Sequence, residues 1–176
     1  MITTNDEKLA QHFRKAQNHG LENRDQCEFW GFNSRLDEIQ AATLRVMLTH
    51  FEPLSERRRQ LALRYCKNLK PYVEVSEEKV EEHYAYHSFV VQADERDGLQ
   101  AHLLENGVQA LVHYPTPLHL LPAARDLGYD EKSFPVAFKV ANRILSLPIY
   151  PELDDAQQER IVTLIADFYE GRMSCE

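Results

Sequence analysis

The hydrophobic period of this chain changes at Pro71, and that change limits the folds open to it. Before Pro71, apolar residues recur at the three- and four-residue spacing of helices; after it, short β-branched runs alternate with a helical segment. Leu36, Ile39, Ala42 or Thr43 and Met47 set an apolar face on a helix predicted to run from Ser34 to about Phe51, buried along that face. Pro53 follows, and SERRRQLALRYCKNL predicts a second helix, stacked on the first around the proline and ended by Pro71. An earlier polar helix is expected from a cap at Asn5 or Asp6 to about Asn18, closed by Gly20 in NHG, before a loop rich in charge. Residues 1 to 4 read as the end of a strand whose sheet is missing.

Beyond Pro71, VEV at 73–75 and YHSFVV at 86–91 read as strands, DERDGLQAHLLENG as a helix from about Asp94 to Gly107, and VQALVHY as the following strand. Asp154 and Gln157 occupy capping positions for a last helix, with Ile161, Leu164, Ile165 and Phe168 facing a core. The pattern defines an α+β class: a short antiparallel or mixed sheet with helices on one face, preceded by long helices. A hydrophobic content of 43% supplies a real core, and a formal charge of -8 argues against nucleic acid or a polybasic membrane surface as partner. Cys27, Cys66 and Cys175 are odd in number and lack CxxC spacing, which points away from a disulfide framework or zinc knuckle and towards a reducing cytoplasm. MITTNDEKLAQHF has no apolar signal core, and no apolar run approaches membrane-spanning length.

Two segments carry chemistry. In GFNSRLDEIQAA, residues 31–42, Ser34 and Asp37 fit a capping box at a helix start. The free N–H groups of that start, with the side chains of Asn33 and Arg35, form a donor set suited to a phosphate, while Asp37 and Glu38 oppose an anion. A plain capped helix with a solvated arginine is the other reading. In HYPTPLH, residues 113–119, His113 and His119 bracket Tyr114 and two prolines that hold the segment extended. Imidazole and phenol groups suit diphosphate and sugar hydroxyls; ordinary surface histidines on a stiff loop are the alternative, and a metal site lacks a third ligand.

GFNSRLDEIQAA, YHSFVV, HYPTPLH and ILSLPIYPEL, in that order, resemble the C-terminal half of the DegT/StrS-type, pyridoxal-phosphate-dependent nucleotide-sugar aminotransferases, a branch of the fold-type-I aspartate aminotransferase fold. TNDEKLAQHFRKAQNHG is similar to the stretch that follows the cofactor lysine in that family. The resemblance implies that residues 1–33 are a remnant of the large cofactor domain, 34–70 long interdomain helices and 71–176 the small C-terminal α+β domain. It implies that Asn33 reaches the phosphate of a neighbouring subunit's cofactor across a homodimer interface, with Arg35 close by. His113, Tyr114 and His119 are implied to line the nucleotide-sugar side of the pocket. Phe138 stands where members commonly carry a glutamate.

The lysine that forms a Schiff base with pyridoxal phosphate belongs to a serine- and glycine-rich strand-loop segment in that family. Lys8, Lys15, Lys67, Lys70, Lys79, Lys132 and Lys139 lie on predicted helices, their ends or loops, and none has that context. Met1 therefore reads as an internal start or truncation, and no catalytic residue or metal ligand is expected. The expectation is the C-terminal portion of an enzyme acting on a keto-sugar nucleotide in polysaccharide or deoxyaminosugar biosynthesis. Alone it is expected to be inactive and to bind no cofactor stably. It should self-associate through an apolar patch on residues 36–51, or join the missing N-terminal half. The alternative is a non-catalytic nucleotide-sugar or partner-binding module, or a degenerate fragment.

Overall fold

Asp6 starts the first helix, its carboxylate accepting from the N–H groups of Lys8 at 2.8 Å and Leu9 at 3.2 Å. The computed structural model describes residues 2–173, and the chain divides into a unit of residues 1–50 and one of residues 51–176.

In the first unit, helix α1 (Glu7–Ala16) is followed by His19 and Gly20, both left-handed, with φ of 59° and 70°. The chain then forms an antiparallel hairpin, β1 (Leu21–Asn23) and β2 (Gln26–Cys27), inside the charged stretch expected to be loop. It returns as a strap over the end of α1. Phe32 N–H donates to Ala16 at 2.7 Å, His19 N–H to Phe32 at 2.8 Å, and Ser34 N–H to Gln17 at 2.8 Å. The first and third of these bonds satisfy carbonyls that the end of α1 leaves open, and the second ties the residue after α1 to the strap. The next helix starts later than expected: α2 runs Glu38–Thr49, with Asp37 as its N-cap and the Asp37 N–H donating to Gln40 Oε1 at 3.0 Å. The start expected at Ser34 is thus corrected, because the reciprocal capping box is closed by Asp37 with Gln40 rather than by Ser34 with Asp37. Residues 2–4 form no strand, and Met1 lies outside the described residues.

The burial expected for the apolar face of α2 is absent. Ile39 is 78% exposed, and Gly20 is the sole buried residue between Ile2 and His50. The exposed patch expected on residues 36–51 is therefore present: Leu36, Ile39, Leu44, Val46, Met47, Leu48 and Phe51 all face outward.

The second unit opens with α3 (Phe51–Leu69), directly after the α2 C-cap, His50. The helix break thus precedes Pro53, which sits in the first turn of α3, where a missing N–H costs little. Leu61, Ala62, Tyr65, Cys66 and Leu69 form the buried stripe of α3. An antiparallel sheet in the order β3 (Glu74–Val75), β4 (Phe89–Gln92), β5 (Ile144–Leu147) pairs Phe89 with Leu147 and Val91 with Leu145. Two-residue alternation puts these four side chains in the core with Leu99 and Leu103 of α4 (Arg96–Glu105) and Ile161 and Ile165 of α6 (Asp155–Met173). The ring of Tyr65 packs 5.0 Å from that of Phe89, so α3 covers this face. The α+β architecture with helices over one face of a short antiparallel sheet is the one expected.

The strand expected at 108–114 shrinks to a single bridge, Leu111 with Ser146, with bonds of 3.1 and 2.7 Å. The run ILSL, not read as a strand, supplies β5 instead. A short helix α5 (Pro135–Ala141) precedes it. Among the described residues no helix is long and apolar enough to cross a membrane.

Candidate functional site

The strap in the first unit fixes Asn33 before its side chain does anything. The Asn33 backbone is bridged to Asn18, while its Oδ1 accepts from Arg35 Nε at 3.1 Å. Both residues are exposed. The Asn33 amide hydrogens and the Arg35 Nη groups have no partner among the described residues, so the pair presents donors only. Such a set fits a phosphate: two kinds of N–H donor, one of them permanently charged, held together by their own hydrogen bond. The start of α2 adds little to it, since the N-cap and first helical residue, Asp37 and Glu38, are both carboxylates.

In the second unit the HYPTPLH loop leaves the sheet at Leu111. Pro115 and Pro117 stiffen it, and a tight turn, Leu118–Leu120, ends it. The loop, α5 and Ile144 enclose a cavity of about 870 Å³. Tyr114 and His119 line it, with Leu118, Phe134 and Val140 giving a mainly apolar wall. His119 rests on Phe134 with ring centroids 4.8 Å apart, and its Nε2 is enclosed without a partner among the described residues. His113 does not line the cavity. Its Nδ1 instead lies 2.9 Å from the hydroxyl of Ser146 on β5, and its ring meets Tyr114 edge to face at 5.7 Å. Phe138 sits on α5, whose Ala137, Val140 and Ala141 face the cavity, but is not part of the lining.

Two residues at this end of the sheet were not singled out in the sequence. Ser146 is one; its only signal was its place in ILSLPIYPEL. Arg143 is the other. It holds Glu74 at 2.9 Å and Asp94 at 3.1 Å beside a cleft of about 460 Å³ that Lys139 also lines. Other lysines are engaged: Lys15 pairs with Glu22 and Glu28, and Lys70 with Glu77 at 2.5 Å. Hydrogen bonds to these carboxylates push both ammonium groups above the ordinary lysine value and hold them in the non-nucleophilic charged form. Among the described residues no cluster of His, Cys, Asp or Glu could hold a metal ion.

In the second unit, a short antiparallel sheet covered by helices, beside a stiff histidine loop, is consistent with part of an aminotransferase fold. The sequence profile of the DegT/DnrJ/EryC1/StrS aminotransferase family matches residues 1–166, and the chain belongs to that family. It is 42% identical over 173 residues to the pleiotropic regulatory protein of Geobacillus stearothermophilus, covering 96% of this chain and 46% of that one. It is 36% identical to a dTDP-3-amino-3,4,6-trideoxy-alpha-D-glucose transaminase of Streptomyces venezuelae, covering 96% of this chain and 45% of the relative. Among solved structures, Streptomyces venezuelae DesV in complex with a ketimine intermediate superposes with a TM-score of 0.89 at 36% identity, over 96% of this chain and 46% of that one. The chain thus spans under half the length of these relatives.

Proposed function

We propose that this chain is the C-terminal portion of a nucleotide-sugar aminotransferase and works with a cofactor-carrying N-terminal half. The observation that carries the reading is the match of residues 1–166 to a family whose relatives include nucleotide-sugar transaminases. In the complete enzyme pyridoxal phosphate supplies the electron sink for moving an amino group to a keto-sugar nucleotide. Asn33 and Arg35 donate to its phosphate in a neighbouring subunit. His113 and Tyr114 orient the nucleotide-sugar through its diphosphate and hydroxyl groups, and His119 with the apolar wall closes that side of the pocket to water.

The chain contributes no covalent anchor for the cofactor, since none of its lysines lies in the serine- and glycine-rich strand-loop context of the family's cofactor lysine. Alone it is inactive and retains no pyridoxal phosphate. Its biological form is a homo-oligomer or a complex with the other half, in a compartment that leaves Cys27 and Cys66 as free thiols.

The test is reconstitution. The chain is incubated with pyridoxal phosphate and borohydride, alone and co-expressed with the N-terminal half of a family member. Scattered labelling alone, and retained cofactor with amino transfer only in the complex, is the expected result. Stoichiometric labelling of one lysine with turnover by the chain alone would overturn it. Nucleotide-sugar binding by the chain with no amino transfer even in the complex would favour a non-catalytic binding module.

A further inference from the structure

We propose that Ser146 is a positioning residue that selects the Nε2–H tautomer of His113 and so makes the free edge of that ring a hydrogen-bond donor to the substrate. The proposal rests on the reading of His113 as a contact to the nucleotide-sugar.

Ser146 lies on β5 and is 7% exposed. Its backbone is fully committed: the N–H donates to the Leu111 carbonyl at 2.7 Å and the C=O accepts from the Leu111 N–H at 3.1 Å. The pairing of Val90 with Ser146 secures the strand from its other side. The partner of its hydroxyl among the described residues is His113 Nδ1, at 2.9 Å.

A neutral imidazole carries its proton on one nitrogen, and the two choices differ sharply here. With the proton on Nδ1, the ring donates to the serine oxygen, and the buried serine proton is left without an acceptor. With the proton on Nε2, the serine proton goes to the Nδ1 lone pair, and both groups that meet at this contact are satisfied. Buried hydroxyl donors take partners, so the second arrangement wins. Its consequence is directional. Nε2, on the exposed edge of His113, carries a hydrogen and can donate to an anionic oxygen without the ring becoming charged. The Leu111–Ser146 bridge anchors the loop two residues before His113, so the same strand position fixes both where the ring stands and which nitrogen donates.

Long-range proton–nitrogen correlation of the ¹⁵N-labelled chain, at a pH where the ring is neutral, decides the matter. Wild type should show His113 Nδ1 as the lone-pair nitrogen and Nε2 as the protonated one. Ser146→Ala should mix the two tautomers, and Ser146→Thr, which keeps the hydroxyl, should restore the single form. Thymidine diphosphate should perturb Nε2 in wild type and bind about fivefold more weakly to Ser146→Ala, the worth of one oriented hydrogen bond. An Nδ1–H tautomer in wild type overturns the proposal even where the alanine variant does not fold, and so does an unchanged tautomer in Ser146→Ala. The expected tautomers with no response of His113 to thymidine diphosphate would overturn the substrate reading and leave the serine–histidine coupling standing.

Discussion

Gly31 has no room for a side chain: a Cβ there would stand 2.3 Å from the Gly20 nitrogen and 2.6 Å from the Ala16 oxygen, both backbone atoms that cannot swing aside. Gly31→Ala should therefore loosen the strap that holds Asn33, by about 2 kcal/mol, read as faster hydrogen exchange of the Phe32 and Ser34 amides. Glu78 makes a different kind of prediction. Its side chain is 5% exposed, accepts the Tyr84 N–H at 2.9 Å and meets Arg59 at 3.0 Å. Those bonds, the backbone one first, hold its carboxyl below the ordinary carboxylate range against the opposing effect of desolvation. A depressed folded value means stability that is complete above the ordinary carboxylate range and lost as pH falls through the folded value. Thermal midpoints measured down that acid range should fall less steeply for Glu78→Gln than for wild type. Residue roles were only partly legible in the sequence. Ser34 with Asp37 and Asp37 with Gln40 both satisfy capping spacing, and local pattern cannot rank them; the fold uses the second, with residues 34–36 left outside the helix. The Ser146–His113 pair spans 33 positions and leaves no periodic trace at all.

At the scale of elements, the three arginines of SERRRQ each tie α3 to a different part of its unit. Arg57 donates to the Leu153 carbonyl at 2.7 Å and holds Asp155 at 2.9 Å, at the start of α6. Arg58 reaches the carbonyls of Ile149 at 3.0 Å and Tyr86 at 3.3 Å, and Arg59 takes Glu78. Arg58→Ala strands two loop carbonyls, so urea unfolding of the second unit should show a loss of about 1–3 kcal/mol. Both bonds leave from the single Nη1 atom, and an ammonium also carries enough N–H groups for two acceptors, so Arg58→Lys should recover part of the loss. The helices were legible because their apolar stripes repeat over several turns. The edges of the sheet were not. ILSL is buried at Leu145, Ser146 and Leu147 together and shows no alternation, whereas VQALVHY alternates convincingly yet earns a single bridge. Pairing, which local sequence does not carry, separates the two.

For the whole molecule, the family match and the exposed face of the first unit point the same way. Trp30 is 97% exposed, and the apolar residues of α2 that follow it in sequence are exposed as well. A surface of that kind drives association. Sedimentation of the isolated chain should show concentration-dependent dimers or larger species, and Ile39→Glu should shift them towards monomer. A clean wild-type monomer over a wide concentration range would sink this expectation. The class of fold was readable at this scale because four separated motifs kept their order, while the spacing that predicted a buried α2 face marks an apolar helix that the described residues leave exposed.

Among the described residues of the first unit Gly20 alone is buried, and this has a cellular consequence. A segment without its own interior opens cheaply, and unprotected chain is the substrate of chaperones and proteases. Binding of a partner to the closed form raises that opening cost by mass action. If the proposed partner covers it, the half-life of this polypeptide should therefore lengthen when that partner is co-expressed, which pulse-chase measurement checks.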